Sequence, residues 1–347
     1  MLVNEFDYNL PEELIAQMPS SSRELSRMLV MDKFSGKIKH KNFFDITDFL
    51  TENDVLILNN TKVIPARLMG QKKDTGAKIE VFLLKNTQGK FWECLIKPAK
   101  RVKDGTIIEF SEKLQAKIVG RLDNAKILVD LIFEGDFYKV LDSVGMTPLP
   151  PYIQRQMSDE EIKKLDDSRY QTVYAQTPGS VAAPTAGLHF TDEILQSLKN
   201  KGVETGFVTL NVGLGTFRPV KCENILEHKM DSESFEISKS TADLIKKAKT
   251  EGKNIVAVGT TTVRTLETAF AKYGEIKACK DFSELFIYPG YEFKVVDKLL
   301  TNFHLPKSTL LMLVSALSSR ENVFNAYQTA IEQKYRFYSY GDCMFIL

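Results

Sequence analysis

The chain has 347 residues, 43% apolar and 26% charged, enough to bury a substantial core and more naturally two domains than one. Its formal net charge of +1 gives no whole-molecule attraction to nucleic acid or to an anionic membrane surface. The four cysteines and four histidines are too scattered for a disulfide framework or an H-E-x-x-H site, no apolar run approaches the about 18 residues a spanning helix needs, and the opening MLVNEFDYNLPEELIAQ lacks a secretory layout, so a cytoplasmic protein with no metal and no membrane partner is expected.

In chain order, NNTKVIPARL (residues 59–68) offers polar Asn59, Asn60, Lys62 and Arg67. Between Pro65 and Pro148 come the β signals AKIEVFLL, FWECLI, GTIIEF, QAKIVGRL and AKILVDLIF. They are rich in β-branched and aromatic residues and separated by NTQG, KDG and DN, turn chemistry suited to antiparallel hairpins. Such strands can close into a small barrel or sandwich. Residues 66–150 carry 15 Lys/Arg against 11 Asp/Glu, an excess that permits an RNA-facing patch.

The flanking segments alternate capped helices with apolar strands, which implies an α/β layer architecture. Ser158 with Glu161 reads as a capping box, Thr191 as the cap of a helix ending at Gly202, and Ser240 as the start of one ending at Gly252. NIVAVG reads as a buried strand leading into TTVRTLETAFAKYG, a helix stopped by Gly274; Ser308 precedes TLLMLVSAL, and ENVFNAYQTAIEQKY has helical spacing. PLPPYI (148–153) is the natural exit from the insert. The expected fold is therefore α/β: a discontinuous α/β catalytic core (1–65 and 151–347) with an inserted small all-β, barrel-like domain (66–150).

Several segments carry possible chemistry. GSVAAPTAGLHF concentrates Gly179, Ser180, Ala183, Pro184, Thr185 and Gly187 where backbone can lie close against a ligand, with His189 immediately after. The strand VETGFVTL leads to NVGLGTFRPV, where Gly213 and Gly215 permit close approach and Thr216 and Arg218 offer a hydroxyl and a fork for an anion. In VGTTTVRTLE a strand passes through Gly259, Thr260 and Thr261 into a helix bearing Arg264, so unpaired N–H groups would face a carboxylate or phosphate. HKMDSESFEIS gathers His228, Asp231 and Glu233, the two carboxylates on one face if the segment is a strand. TNFHLPKS sets Asn302, His304 and Lys307 before a helix, while FIYPGYEF and YRFYSYGD place tyrosines near glycine, suited to stacking on unpaired bases. Taken singly, each also reads as ordinary structure: a tight loop, a hairpin turn, a capped helix, a charged strand or a tyrosine-rich core.

Together these segments, with FDYNLPEELIAQ, SSRELSRMLV, TGAKIEVFLL and YQTVYA, resemble the S-adenosylmethionine:tRNA ribosyltransferase-isomerase family in order and nearly end to end. The resemblance implies a transferase that moves the ribosyl unit of S-adenosylmethionine onto 7-aminomethyl-7-deazaguanine at the tRNA wobble position. There it isomerises to the epoxycyclopentane of epoxyqueuosine, and adenine and methionine leave. It implies tRNA and S-adenosylmethionine as partners, the latter consumed as substrate, with no cofactor, and a monomer is expected. His189, His228, Glu233 and His304 become acid/base candidates, GSVAAPTAGLH and VGTTTVR the donor-binding segments, and Arg264 or Arg218 the carboxylate ligand. One departure stands out: Asp231 occupies the place of the family's second histidine in H-x-M-H-x-E. Ser319 and Cys343 are milder departures. A conventional methyltransferase would show a glycine-rich turn early in a parallel sheet, which is not evident; a non-catalytic RNA-binding protein would leave the compact GSVAAPTAGLHF loop without a purpose.

Overall fold

The computed structural model describes residues 1–155, 160–213, 220 and 222–347. Ser158, Gly215, Thr216 and Arg218 lie outside the described residues. The core is a nine-stranded sheet in the spatial order Cys279–Ser283, Glu233–Ile237, Glu204–Leu210, Asp54–Asn59, Asn254–Val258, Lys298–Asn302, Cys343–Ile346, Arg27–Met31, Ile38–Asn42. The four strands from Glu204–Leu210 to Lys298–Asn302 run parallel, and an antiparallel pairing lies on either side of that block.

Alternation along these strands decides the layering. In Asp54–Asn59 every residue is buried, yet Val55 and Ile57 join one apolar cluster while Leu56 and Leu58 join another. Since successive side chains point to opposite faces, both faces must be covered. One is covered by Lys239–Thr250, Thr260–Tyr273, Thr309–Leu317 and Arg320–Glu332, the other by Asp192–Asn200 and the 3-10 turn Phe43–Asp48.

The helix starts follow capping chemistry. Thr191 Oγ1 accepts from the Ile194 N–H and Ser308 Oγ from that of Leu311, as the sequence suggests. The helix expected to start at Ser240 is instead capped by Ser238, whose Oγ accepts from the Thr241 N–H. Ser238 directly follows the strand Glu233–Ile237 and keeps an extended backbone, as a capping residue must. Ser319 also caps a helix, accepting from Asn322. Gly274 closes Thr260–Tyr273 in the left-handed conformation at φ 71°.

The second sheet lies between Arg67 and Met146 and contains the five expected strands. A further strand, Arg67–Lys72, pairs with Lys78–Gln88 on one side and Ile107–Ser111 on the other, closing a barrel around Leu68, Ile79, Val81, Cys94, Ile118, Val129 and Leu131. RLMGQK shows no strand pattern because Gly70 interrupts it, and the closure requires that glycine. A Cβ there would lie 2.6 Å from the Glu109 carbonyl oxygen and 2.6 Å from the Phe110 ring. Gly70→Val should strain the seam and lower stability by about 3 kcal/mol, the upper range for overpacking; denaturant titration checks it, and an unchanged midpoint would mean the barrel does not close tightly at Gly70.

Candidate active site

The carboxyl ends of the four parallel strands converge, the place where open α/β sheets bind ligands. From there emerge the loops that begin at Asn59, Asn211, Gly259 and Asn302. Asn59 is fully buried and welds three of them: its Oδ1 accepts from the N–H groups of Thr61 and Leu210, and its Nδ2 donates to the Leu210 carbonyl and to Thr261 Oγ1. The segment from Gly179 is stitched to Asn211–Val212. Ser180 Oγ accepts from the Val212 N–H at 2.9 Å, and the Val181 N–H donates to the Val212 carbonyl.

These loops surround a pocket lined by Ala183, Pro184, Thr185 and Ala186, by Gly259, Thr260 and Thr261, and by Thr301, Asn302 and His304. Tyr152, Ser308, Tyr338 and Ser339 complete its wall. Gly259 has φ 86°, a left-handed value that favours glycine, and this turn aims the start of Thr260–Tyr273 at the pocket. Of the residues singled out from sequence, Ala183, Pro184, Thr185, Gly259, Thr260, Thr261 and His304 therefore meet at one place. Asn302, within TNFH, was singled out only as part of that run; its position at the end of a parallel strand gives it weight.

The other candidates brace the pocket or lie apart from it. Gly179 and Ser180 pack on Asn211 and Val212, and a Cβ on Gly187 would collide with the Tyr174 hydroxyl at 2.0 Å. Arg264 is 4% exposed and its Nη1 donates to Glu233 Oε2 at 2.5 Å, while Glu233 Oε1 accepts from the Gly213 N–H at 2.9 Å. Arg264 and Glu233 are thus committed to each other behind the loop from Asn211. Asp231 is exposed and precedes the strand, so it does not share a face with Glu233. His228 is half-buried against Phe286, with ring centroids 5.4 Å apart, and does not line the pocket. Burial lowers its pKa, and Asp231 opposes that shift.

The tyrosines expected to stack on bases are largely inside. Tyr335, Phe337, Tyr338 and Tyr340 are at most 5% exposed, and Tyr291 donates to the buried Glu267. Glu267 also accepts from the N–H groups of Lys294, Val295 and Val296, which holds the segment after FIYPGYEF against the helix. Lys307 pairs with Asp7 at 2.9 Å, pinning the N-terminal segment. A larger cavity, about 710 Å³, lies where barrel meets core, but Arg67 and Arg155 there are paired with Glu80 and Asp166. Among its described lining residues bases and acids nearly balance. Among the described residues no group of three or more His, Cys, Asp or Glu side chains could hold a metal ion, and no helix is long and apolar enough to cross a membrane.

His189 and His304 are both buried, and both pKa values are lowered to about 3: for His304 by burial, for His189 by burial and then by Arg336 and Arg23. An unfolded histidine titrates near about 6.5, so below that pH the unfolded chain takes up protons that the folded one refuses. Stability present above pH 6.5 is then lost by about 1.4 kcal/mol per pH unit for each histidine, down to about pH 3. Between pH 7 and pH 5 the two together should remove about 4 kcal/mol. Urea titrations at both pH values check this, and a His189→Gln/His304→Gln variant should show a flatter dependence.

A family model described as queuosine biosynthesis protein matches residues 3–346. The chain is also similar to a solved structure, the S-adenosylmethionine tRNA ribosyltransferase of Thermotoga maritima. The two are 38% identical over 99% of this chain and 100% of that one, with a TM-score of 0.56. With a match running from the first strands to the last, this chain belongs to the queuosine biosynthesis protein family.

Proposed function

We propose that this chain is an S-adenosylmethionine:tRNA ribosyltransferase-isomerase. It moves the ribosyl unit of S-adenosylmethionine onto the aminomethyl nitrogen of a wobble-position 7-aminomethyl-7-deazaguanine in tRNA, forms the epoxycyclopentane of epoxyqueuosine, and releases adenine and methionine. The observation that carries this reading is the end-to-end likeness at 38% identity to a protein described as that ribosyltransferase. The lining chemistry of the pocket suits the donor's ends, although its enclosed space, about 50 Å³, holds only part of that molecule. Small residues from Ala183 to Ala186 allow a nucleoside to lie against backbone, and the start of Thr260–Tyr273 offers N–H groups and the positive end of a dipole to the methionine carboxylate.

The sulfonium acidifies the adjacent C5′ protons, so a positioned carboxylate or imidazole beside it can remove one. His304 is the acid/base candidate within the pocket, neutral through burial and oriented by Thr301, whose Oγ1 lies 2.9 Å from Nε2. S-adenosylmethionine is spent as substrate, no cofactor takes part, and the protein acts as a monomer in the cytoplasm, where its tRNA is found. Incubation with donor labelled in the ribose and an anticodon stem-loop bearing the precursor base, followed by nucleoside analysis, tests the reading. Label on the base with free adenine and methionine is expected; S-adenosylhomocysteine with a methylated base would overturn it.

A further inference from the structure

The hydrogen bonds around His189 run between two backbone carbonyls, which only accept. Ser26 Oγ lies 3.0 Å from the Arg23 carbonyl and 2.6 Å from His189 Nδ1. We assign the hydroxyl hydrogen to the carbonyl, which makes Ser26 the acceptor of the Nδ1 hydrogen. Nε2 is left as a bare lone pair, to which Asn302 Nδ2 donates at 3.2 Å. The same Nδ2 faces the Asp342 carbonyl at 3.4 Å, so the amide nitrogen lies on this side and the amide oxygen on the other. Because burial holds the imidazole neutral, this orientation persists through the neutral range. His189 is thus a positioning residue, with its lone pair occupied.

What it positions is an unused acceptor. Asn302 is 3% exposed, and its Oδ1 has no hydrogen-bond partner among the described residues. It lines the same pocket as Gly259, Thr260 and Thr261. The two elements are locked together, since the Gly259 N–H donates to the Leu300 carbonyl at 2.8 Å, two residues before Asn302. At the helix start the N–H groups of Thr262 and Val263 turn back to the Gly259 carbonyl. Those of Thr260 and Thr261, ahead of them, have no preceding turn to bond. Residues bearing donors for an anion and a lone acceptor therefore line one pocket.

We propose that Asn302 Oδ1 receives the α-ammonium group of the methionyl part of S-adenosylmethionine while the helix start receives its carboxylate. This rests on the activity proposed above. Of the hydrogen-bond donors on that molecule, only the ammonium is held one carbon from a carboxylate, which matches an acceptor adjoining an anion site; the adenine amino group and ribose hydroxyls are the competitors. An amide oxygen bonded to a cation makes a charge-assisted bond, stronger than a neutral one.

The test is equilibrium dialysis with the full-length protein and an anticodon stem-loop whose wobble base lacks the aminomethyl nitrogen, so that the donor is not consumed; the precursor stem-loop is kept for adenine release. Three ligands are compared: S-adenosylmethionine, an analogue lacking the α-amino group, and one dimethylated at the adenine amino nitrogen. Asn302→Ala should weaken S-adenosylmethionine and the dimethylated analogue by about 10- to 100-fold, the range for a hydrogen bond to a charged group, and leave the deaminated analogue unchanged. His189→Gln should weaken the same two ligands, since it frees Asn302 to turn. Equal weakening of all three ligands by Asn302→Ala, or weakening that disappears with the dimethylated analogue, overturns the assignment. Adenine release is followed in parallel. Release without this binding pattern refutes the ammonium site alone, whereas the pattern without release refutes the ribosyl-transfer reading alone.

Discussion

His304→Gln is expected to lower the rate of ribosyl transfer by about 10²–10⁴-fold, the usual contribution of a positioned acid or base, while the protein remains folded and still binds S-adenosylmethionine. The fold should survive because the other anchors of this residue belong to its backbone. Its N–H donates to the Tyr327 hydroxyl oxygen at 2.9 Å, and its carbonyl accepts from the Tyr8 hydroxyl. Among the described residues the side chain bonds only to Thr301, which glutamine can also reach. Single-turnover measurement of adenine release separates the chemical step from binding. Near-parental turnover would remove His304 from proton transfer and leave the pocket's own described residues without an imidazole for that role.

Arg264→Ala is expected to lower stability by about 3–5 kcal/mol, the cost of stripping one partner from a buried ion pair. The family resemblance offered Arg264 or Arg218 as the ligand for the donor carboxylate, and Arg218 lies outside the described residues. The fold instead points the Arg264 side chain at Glu233, and that carboxylate also takes the Gly213 N–H. Removing the guanidinium therefore takes the cationic partner from a buried carboxylate that also holds the Gly213 N–H in the loop from Asn211. Loss of activity alone would not distinguish the two roles, so the decisive measurement is the denaturation midpoint. A variant as stable as the parent that had lost affinity for the donor carboxylate would reinstate the ligand role.

What could be read from the sequence was whatever local chemistry decides. Thr191 and Ser308 cap helices because the N–H groups they satisfy lie three residues away. The hairpin strands of the barrel show because turn residues and β-branched runs are neighbours in the chain. What was hidden depends on partners far off in sequence. The strand Arg67–Lys72 is held by Ile107–Ser111, and CMFI at 343–346 is a strand only because two others flank it. The tyrosines of YRFYSYGD look like a surface for bases until Phe303 is packed on Tyr335, Tyr152 on Tyr338 and Tyr170 on Tyr340. At the pocket, glycine and threonine patterning picked out loops that do line it, whereas Asn302 becomes informative only once its amide is seen against His189, 113 positions away.

The position of Cys343–Ile346 between Lys298–Asn302 and Arg27–Met31 sets a timetable for synthesis. Arg27 and Cys343, in contact through the Arg27 carbonyl, are 316 positions apart. At about 5–20 residues per second of translation, Arg27–Met31 waits roughly 15–60 s for the neighbour that completes its side of the sheet. Throughout that interval the apolar edge of Met28, Leu29, Val30 and Met31 has only its hairpin mate Ile38–Asn42, which makes the nascent chain a natural client for a holding chaperone. The barrel pairings, all contained between Arg67 and Met146, are available long before the wait ends.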